Sequence, residues 1–211
     1  MERVLDHANT GADDSGLMAA GDLVNTQKVL VERIASVATR LVPDATGAHL
    51  RFINKSETGL DNLSLDQIML KLHFSASGSA MIGTMLNKKI LEPFIYDPLD
   101  RGDSLPRPFI IAIITHGFSD GEPVDAFKNA ILECGKRLTK RGYPPERTHR
   151  HSLNSLICNN TYKYCADVMF LVCHIGKSFS SENFLDSLTG DPGLQHVLYL
   201  TTGELSRIPK S

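Results

Sequence analysis

Near the amino terminus, the stretch TGADDSGLMAAGD sets Asp13 and Asp14 beside Ser15 and Gly16. Carboxylate and hydroxyl oxygens at this spacing are the donors that a hard cation such as Mg²⁺ prefers. Leu17, however, stands where a second hydroxyl would complete Asp-x-Ser-x-Ser. The same residues equally suit an ordinary turn or helix-entry loop, since Asp, Ser and Gly favour both.

A second set of residues suggests acid–base chemistry. His116 follows a strongly apolar run, with Asp120 in the same loop and Ser15 as a hydroxyl elsewhere in the chain. No Ser lies in a Gly-x-Ser-x-Gly elbow that would mark it as a nucleophile. HIGKS, at 174–178, ends like a phosphate-binding loop, but Leu171 stands where that loop needs its first glycine, so nucleotide binding is not expected. His149, His151, Cys158 and Cys165 could be drawn as a zinc site, yet their spacing matches none of the common paired-ligand patterns.

These residues need elements to position them. NTQKVLVERIASVATRLVPD carries apolar residues at Leu30, Ile34, Val37, Ala38 and Leu41, which predicts an amphipathic helix capped by Asn25 and stopped before Pro43. GAHLRFIN (47–54) reads as a strand, and LSLDQIMLKLHFS is apolar but fits either element. GTMLNKKILEPFIYD repeats Leu86, Ile90 and Phe94 at a helical interval, with Pro93 expected to kink or fray its end. RPFIIAIIT (107–115) is almost continuously apolar, the pattern of a central strand covered on both faces.

After a Gly-rich turn, Pro123 suits a first-turn position, and Phe127, Ala130, Ile131, Cys134 and Leu138 predict a second amphipathic helix. DVMFLVCHIG (167–176) predicts another buried strand, SSENFLDSL a short helix, and QHVLYLTT (195–202) a last strand. Alternating helices and apolar strands imply an α/β fold with a mostly parallel sheet flanked by helices. Ligands of such sheets meet the loops beyond the strands' carboxyl ends, here 13–18, 77–84, 115–122 and 176–182. Residues 147–166 are polar and irregular, and fit no element.

The 211 residues suit one domain, and 22 basic against 24 acidic side chains give no electrostatic reason to expect nucleic acid or an anionic membrane as partner. No signal peptide or transmembrane segment is evident, so a cytoplasmic or otherwise intracellular protein is expected, with its four cysteines reduced. Cys134 and Cys173 fall on apolar faces and are expected to be buried.

At GAHLRFIN, SGSAMIGTMLNKKILEPFI, PFIIAIITHGFSDGEP and SSENFLDSL, in this order, the chain resembles a von Willebrand factor A (vWA) domain of the type found in fungal intracellular proteins. The resemblance covers residues 12–203, with 1–11 a poorly defined N-terminal segment, an irregular insertion at about 147–166 and a tail at 204–211. It implies a doubly wound, mostly parallel β-sheet flanked by helices, a Rossmann-like fold, with a metal-ion-dependent adhesion site at the sheet's carboxyl edge that binds Mg²⁺ and, through it, an acidic group of a protein partner.

Residue by residue, Asp13 and Ser15 match the first two ligand positions implied by the resemblance. Leu17, Ala80 and His116 stand where the third, a threonine and a second carboxylate are expected. With two ligands of five, the site is read as degenerate, with no cofactor beyond weak Mg²⁺ or Mn²⁺ binding. The expected function is therefore a non-enzymatic protein-interaction module. An unidentified protein partner would meet a rim of Ser79, Thr84, His116 and Asp120. The alternative is an α/β hydrolase or phosphate-handling enzyme using His116, Asp120 and Ser15.

Overall fold

The strand Phe109–Thr115, FIIAIIT, is apolar at nearly every position because both of its faces are covered. Phe109, Ile111 and Ile113 enter one hydrophobic core, while Ala112 and Ile114 enter the other. In the computed structural model, residues 7–41, 47–56, 60–105, 109–117, 119–143, 168–175, 188, 194 and 197–201 are described.

Five strands among these residues form one sheet: β1 His7–Ala12, β2 His49–Phe52, β3 Phe109–Thr115, β4 Val168–His174 and β5 Val197–Thr201. Their order is β2-β1-β3-β4-β5, and every pairing is parallel. On one face, α1 (Leu23–Leu41) and α2 (Leu65–Lys71) cover a core that includes Leu30, Leu50, Phe52 and Ile68. On the other lie α3 (Ile82–Met85), a π-helix (Leu86–Tyr96), α4 (Asp97–Arg101) and α5 (Ala126–Lys140). The fold is thus α/β and doubly wound. Among the described residues no helix is long and apolar enough to cross a membrane.

The first strand corrects the reading of a poorly defined N-terminal segment for residues 7–11; residues 1–6 lie outside the described residues. His7–Ala12 is a central strand, paired in register with β2 and with β3. Its small residues allow close packing: a Cβ at Gly11 would fall 2.6 Å from Ile113 Cδ1 and 2.9 Å from Met85 Cε. Asn9 is the costly member, only 1% exposed, with neither amide atom bonded to another described group.

Pro93 neither ends nor frays its helix. An α-helical proline collides with the carbonyl four residues back, whereas the wider π register from Leu86 to Tyr96 accommodates it. The Lys89 carbonyl, at that position, accepts from Arg51 Nε at 3.3 Å. Asn87 donates to Glu92 at 3.0 Å, a pair five residues apart that suits the wider turn.

Other boundaries follow local chemistry. α1 starts at Leu23, where the Asp22 carbonyl accepts from Thr26 N, so Asn25 lies inside the helix rather than capping it. The ambiguous 63–75 run forms α2 because Ser64 and Gln67 close a reciprocal capping box. Pro123 precedes α5, its carbonyl accepting from Ala126 N in the turn before the helix. A Cβ at Gly83 would fall 2.5 Å from the backbone of Ala126 and Phe127, so α3 and α5 touch main chain to main chain. The outer edge of β2 is covered by residues 60–63, through Leu50 N to Leu60 O and the Ala48–Leu63 bridge.

Candidate functional site

The chain leaves β1 to one side for β2 and returns to the other side for β3, so its winding reverses between the carboxyl ends of β1 and β3. Such a reversal opens a crevice in doubly wound sheets. Asp13 follows β1 directly and His116 follows β3 directly.

Asp13 is held at both backbone and side chain. Gln27, buried on α1, accepts from Asp13 N at 3.0 Å and donates to Asp13 O at 2.9 Å. Ser15 N donates to Asp13 Oδ1 at 3.0 Å, an Asx turn that sets the loop's direction. Oδ2 accepts from Thr115 Oγ1 at 3.1 Å and pairs with His116 Nδ1 at 2.7 Å.

The carboxylate is 0% exposed. Burial by itself raises its pKa, but the hydrogen bond from His116, the nearby Ser15 hydroxyl and the imidazole's charge together hold it below the ordinary value. Ser15 Oγ is close enough to contribute, although it is buried without a well-formed hydrogen bond.

Asp14 points the other way and ties the loop to the end of β2. Its Oδ1 accepts from Asn54 N at 2.8 Å and its Oδ2 from Lys55 N at 3.1 Å. Ser77 N donates to Asp14 O, and Gly16 N to Gly78 O at 2.9 Å. Gly78 has a left-handed φ of 83°, and a Cβ there would meet the Asn54 amide at 2.7 Å. Beneath this junction Lys89 Nζ donates to the carbonyls of Phe52, Ile53 and Lys55 at 2.7, 2.8 and 2.9 Å. Burial pulls the Lys89 pKa down, opposed by the charge of Asp14.

The 115–122 loop is fastened to the 77–84 loop by Glu122. Its carboxylate accepts from Gly83 N, Thr84 N, Thr84 Oγ1 and Ser119 Oγ, each at 2.8 Å. Ala80 offers its carbonyl to Asp120 N at 3.2 Å and to Ser119 Oγ at 3.3 Å. On β4, His174 Nε2 meets the His116 carbonyl at 3.1 Å, and burial holds its pKa down.

The structure therefore gathers three of the four loops named from sequence, while 176–182 lies outside the described residues. Asp13, Ser15 and His116 come together. Ala80 is buried at the loop junction, and Leu17 stands 43% exposed. Thr84 is committed to Glu122 rather than open at a rim, Ser79 is half-buried beside Gly121, and Asp120 is exposed. Among the described residues no three His, Cys, Asp or Glu side chains form a metal-sized group.

For the acid–base alternative, the imidazole's carboxylate partner is Asp13, not Asp120, and no hydrogen bond joins Ser15 Oγ to the imidazole. His149, His151, Cys158, Cys165, the 176–178 Gly-Lys-Ser and the predicted 180–188 helix fall outside the described residues, Leu188 excepted. Cys134 and Cys173 are buried thiols with pKa pushed up to about 12 by burial.

Sequence reasoning assigned no role to Gln27, Lys89 or His174. A Gln on the buried stripe of α1 and a Lys inside an apolar helical repeat were the available signals, since such side chains are buried only when bonded. Protein-family models and curated proteins show no match to this chain.

Proposed function

We propose that this chain is a vWA-like protein-interaction module that binds its partner through the loops at the sheet's carboxyl edge without a bridging cation, and that it is not an enzyme. One observation carries the reading: the Asp13 oxygen that could face a cation is already engaged by His116 Nδ1 and Thr115 Oγ1. An imidazole and a hydroxyl of the protein stand where a hard cation would need room and oxygen donors.

Two further observations support it. Leu17 and Ala80 contribute no side-chain oxygen, and Glu122 spends its carboxylate on the start of α3. The loops are thereby fastened to one another, giving the edge a set shape for a partner.

The test is a melting curve under Mg²⁺ and Mn²⁺ titration, because an ion that binds only the folded state must raise its stability. The melting temperature of the native chain is expected to be insensitive to either ion. A rise at millimolar ion that Asp13→Ala abolishes would overturn the reading.

A further inference from the structure

We infer that the surface formed by residues 13–22, 77–84 and 119–125 docks a basic segment bearing apolar side chains, supplied by a partner protein. The inference rests on the ion-free interaction reading above and gives it a chemistry. The three segments make one continuous edge: Gly16 N bonds Gly78 O at 2.9 Å, and a Cβ at Gly121 would sit 3.4 Å from Ser79 Cβ and Met81 Cγ.

These segments contain Asp13, Asp14, Asp22, Asp120, Glu122 and Asp125 but no Lys, Arg or His. Asp13, Asp14 and Glu122 are satisfied within the fold. Asp22, Asp120 and Asp125 are exposed. Two cations on adjoining segments are directed elsewhere, Lys89 to three carbonyls and Lys55 over the rings of Phe52 and Phe74, and the His116 imidazole is held on Asp13; Lys128 follows on α5.

Apolar side chains stand out on the same edge. Leu17 is 43% and Val124 80% exposed, two of the four large hydrophobic residues that reach solvent among the described residues. Carboxylates around exposed aliphatic groups repel an acidic ligand and an anionic lipid surface alike. They attract a cationic chain at long range, and Leu17 and Val124 then bury its apolar side chains at contact.

The experiment uses the full chain, isotope-labelled for amide NMR, in chelator, with equal-length synthetic peptides that alternate Lys with Leu, Glu with Leu, or Lys with Ser. The Lys/Leu peptide is expected to shift amides of 16–22 and 119–125. Asp120→Lys with Asp125→Lys should weaken it by about tenfold or more. Leu17→Ser with Val124→Ser, which keeps the charge, should weaken it independently.

Equal binding of Lys/Leu and Lys/Ser peptides overturns the inference, as does Lys/Leu binding at other amides or at none. If the Glu/Leu peptide shifts these amides in chelator, this inference fails while the ion-free module survives. Should Glu/Leu bind only with Mg²⁺ and an intact Asp13, both fail.

Discussion

His116 Nδ1 stands 2.7 Å from Asp13 Oδ2, joining the carboxyl ends of β1 and β3 where the winding of the chain reverses. The contact spans 103 residues of sequence and buries the Asp13 carboxylate completely. Removing the imidazole leaves a fully buried carboxylate oxygen short of a hydrogen-bond partner, and an under-satisfied buried charged group is expensive. His116→Ala is therefore expected to lose about 3 kcal/mol in urea unfolding. His116→Asp should be worse in chelator, through repulsion between two carboxylates, and should recover part of the loss in Mg²⁺. A His116→Ala protein as stable as the parent would show that the pair contributes little.

Stability should fall with acid in two windows. The folded-state pKa of Asp13 lies below the ordinary 3.8, so its contribution is complete above that value and disappears as pH drops through the lower folded value. His174 is held below its ordinary 6.5 by burial, so the unfolded chain takes up the proton first and stability declines as pH falls below 6.5. Asp13→Asn should shrink the lower window without removing it, because Asp61, where burial is outweighed by the Arg51 and His49 hydrogen bonds, is also held below 3.8. His174→Gln should remove the upper one, both read from denaturation midpoints across pH.

Glu122→Gln probes the fastening of the loops. Both carboxylate oxygens face donors, so an amide must turn its NH₂ towards Gly83 N or Thr84 N, and one donor loses its acceptor. A loss of about 1–3 kcal/mol is expected, with faster hydrogen exchange at Gly83 and Thr84. Unchanged exchange at both amides would argue against the fastening.

Lys89→Met keeps the stem's length but leaves the carbonyls of Phe52, Ile53 and Lys55 without the ammonium donor. The expected loss is about 2 kcal/mol, in the range for bonds to a charged group. In Lys89→Ala the three carbonyls still converge, so small alkylammonium ions should restore part of the melting temperature. Sodium at equal ionic strength should restore less.

Asn9→Val should raise stability by about 1 kcal/mol or more, because it replaces a buried amide that no described group bonds with a side chain suited to a buried strand. A lower melting temperature would mean that the amide has a compensating partner in solution.

Local pattern alone determined much of this protein. The unbroken apolar runs of β3 and β4 and the helical repeats of α1 and α5 are legible because burial on two faces, or along one stripe, dictates residue type position by position. The candidate loop was legible too, since Asp13 and Ser15 lie two residues apart.

Tertiary contact decided the rest. β1 reads poorly as a strand, and only the fold shows it between β2 and β3, where Met85 and Ile113 leave no room for a side chain at Gly11. A proline in a helical repeat predicts a kink or a frayed end, and residue spacing does not show the π register that accommodates it. Above all, residue spacing cannot reveal that His116 would meet Asp13, or Glu122 the start of α3. Those contacts depend on which strands become neighbours, an outcome set by the packing of both cores together.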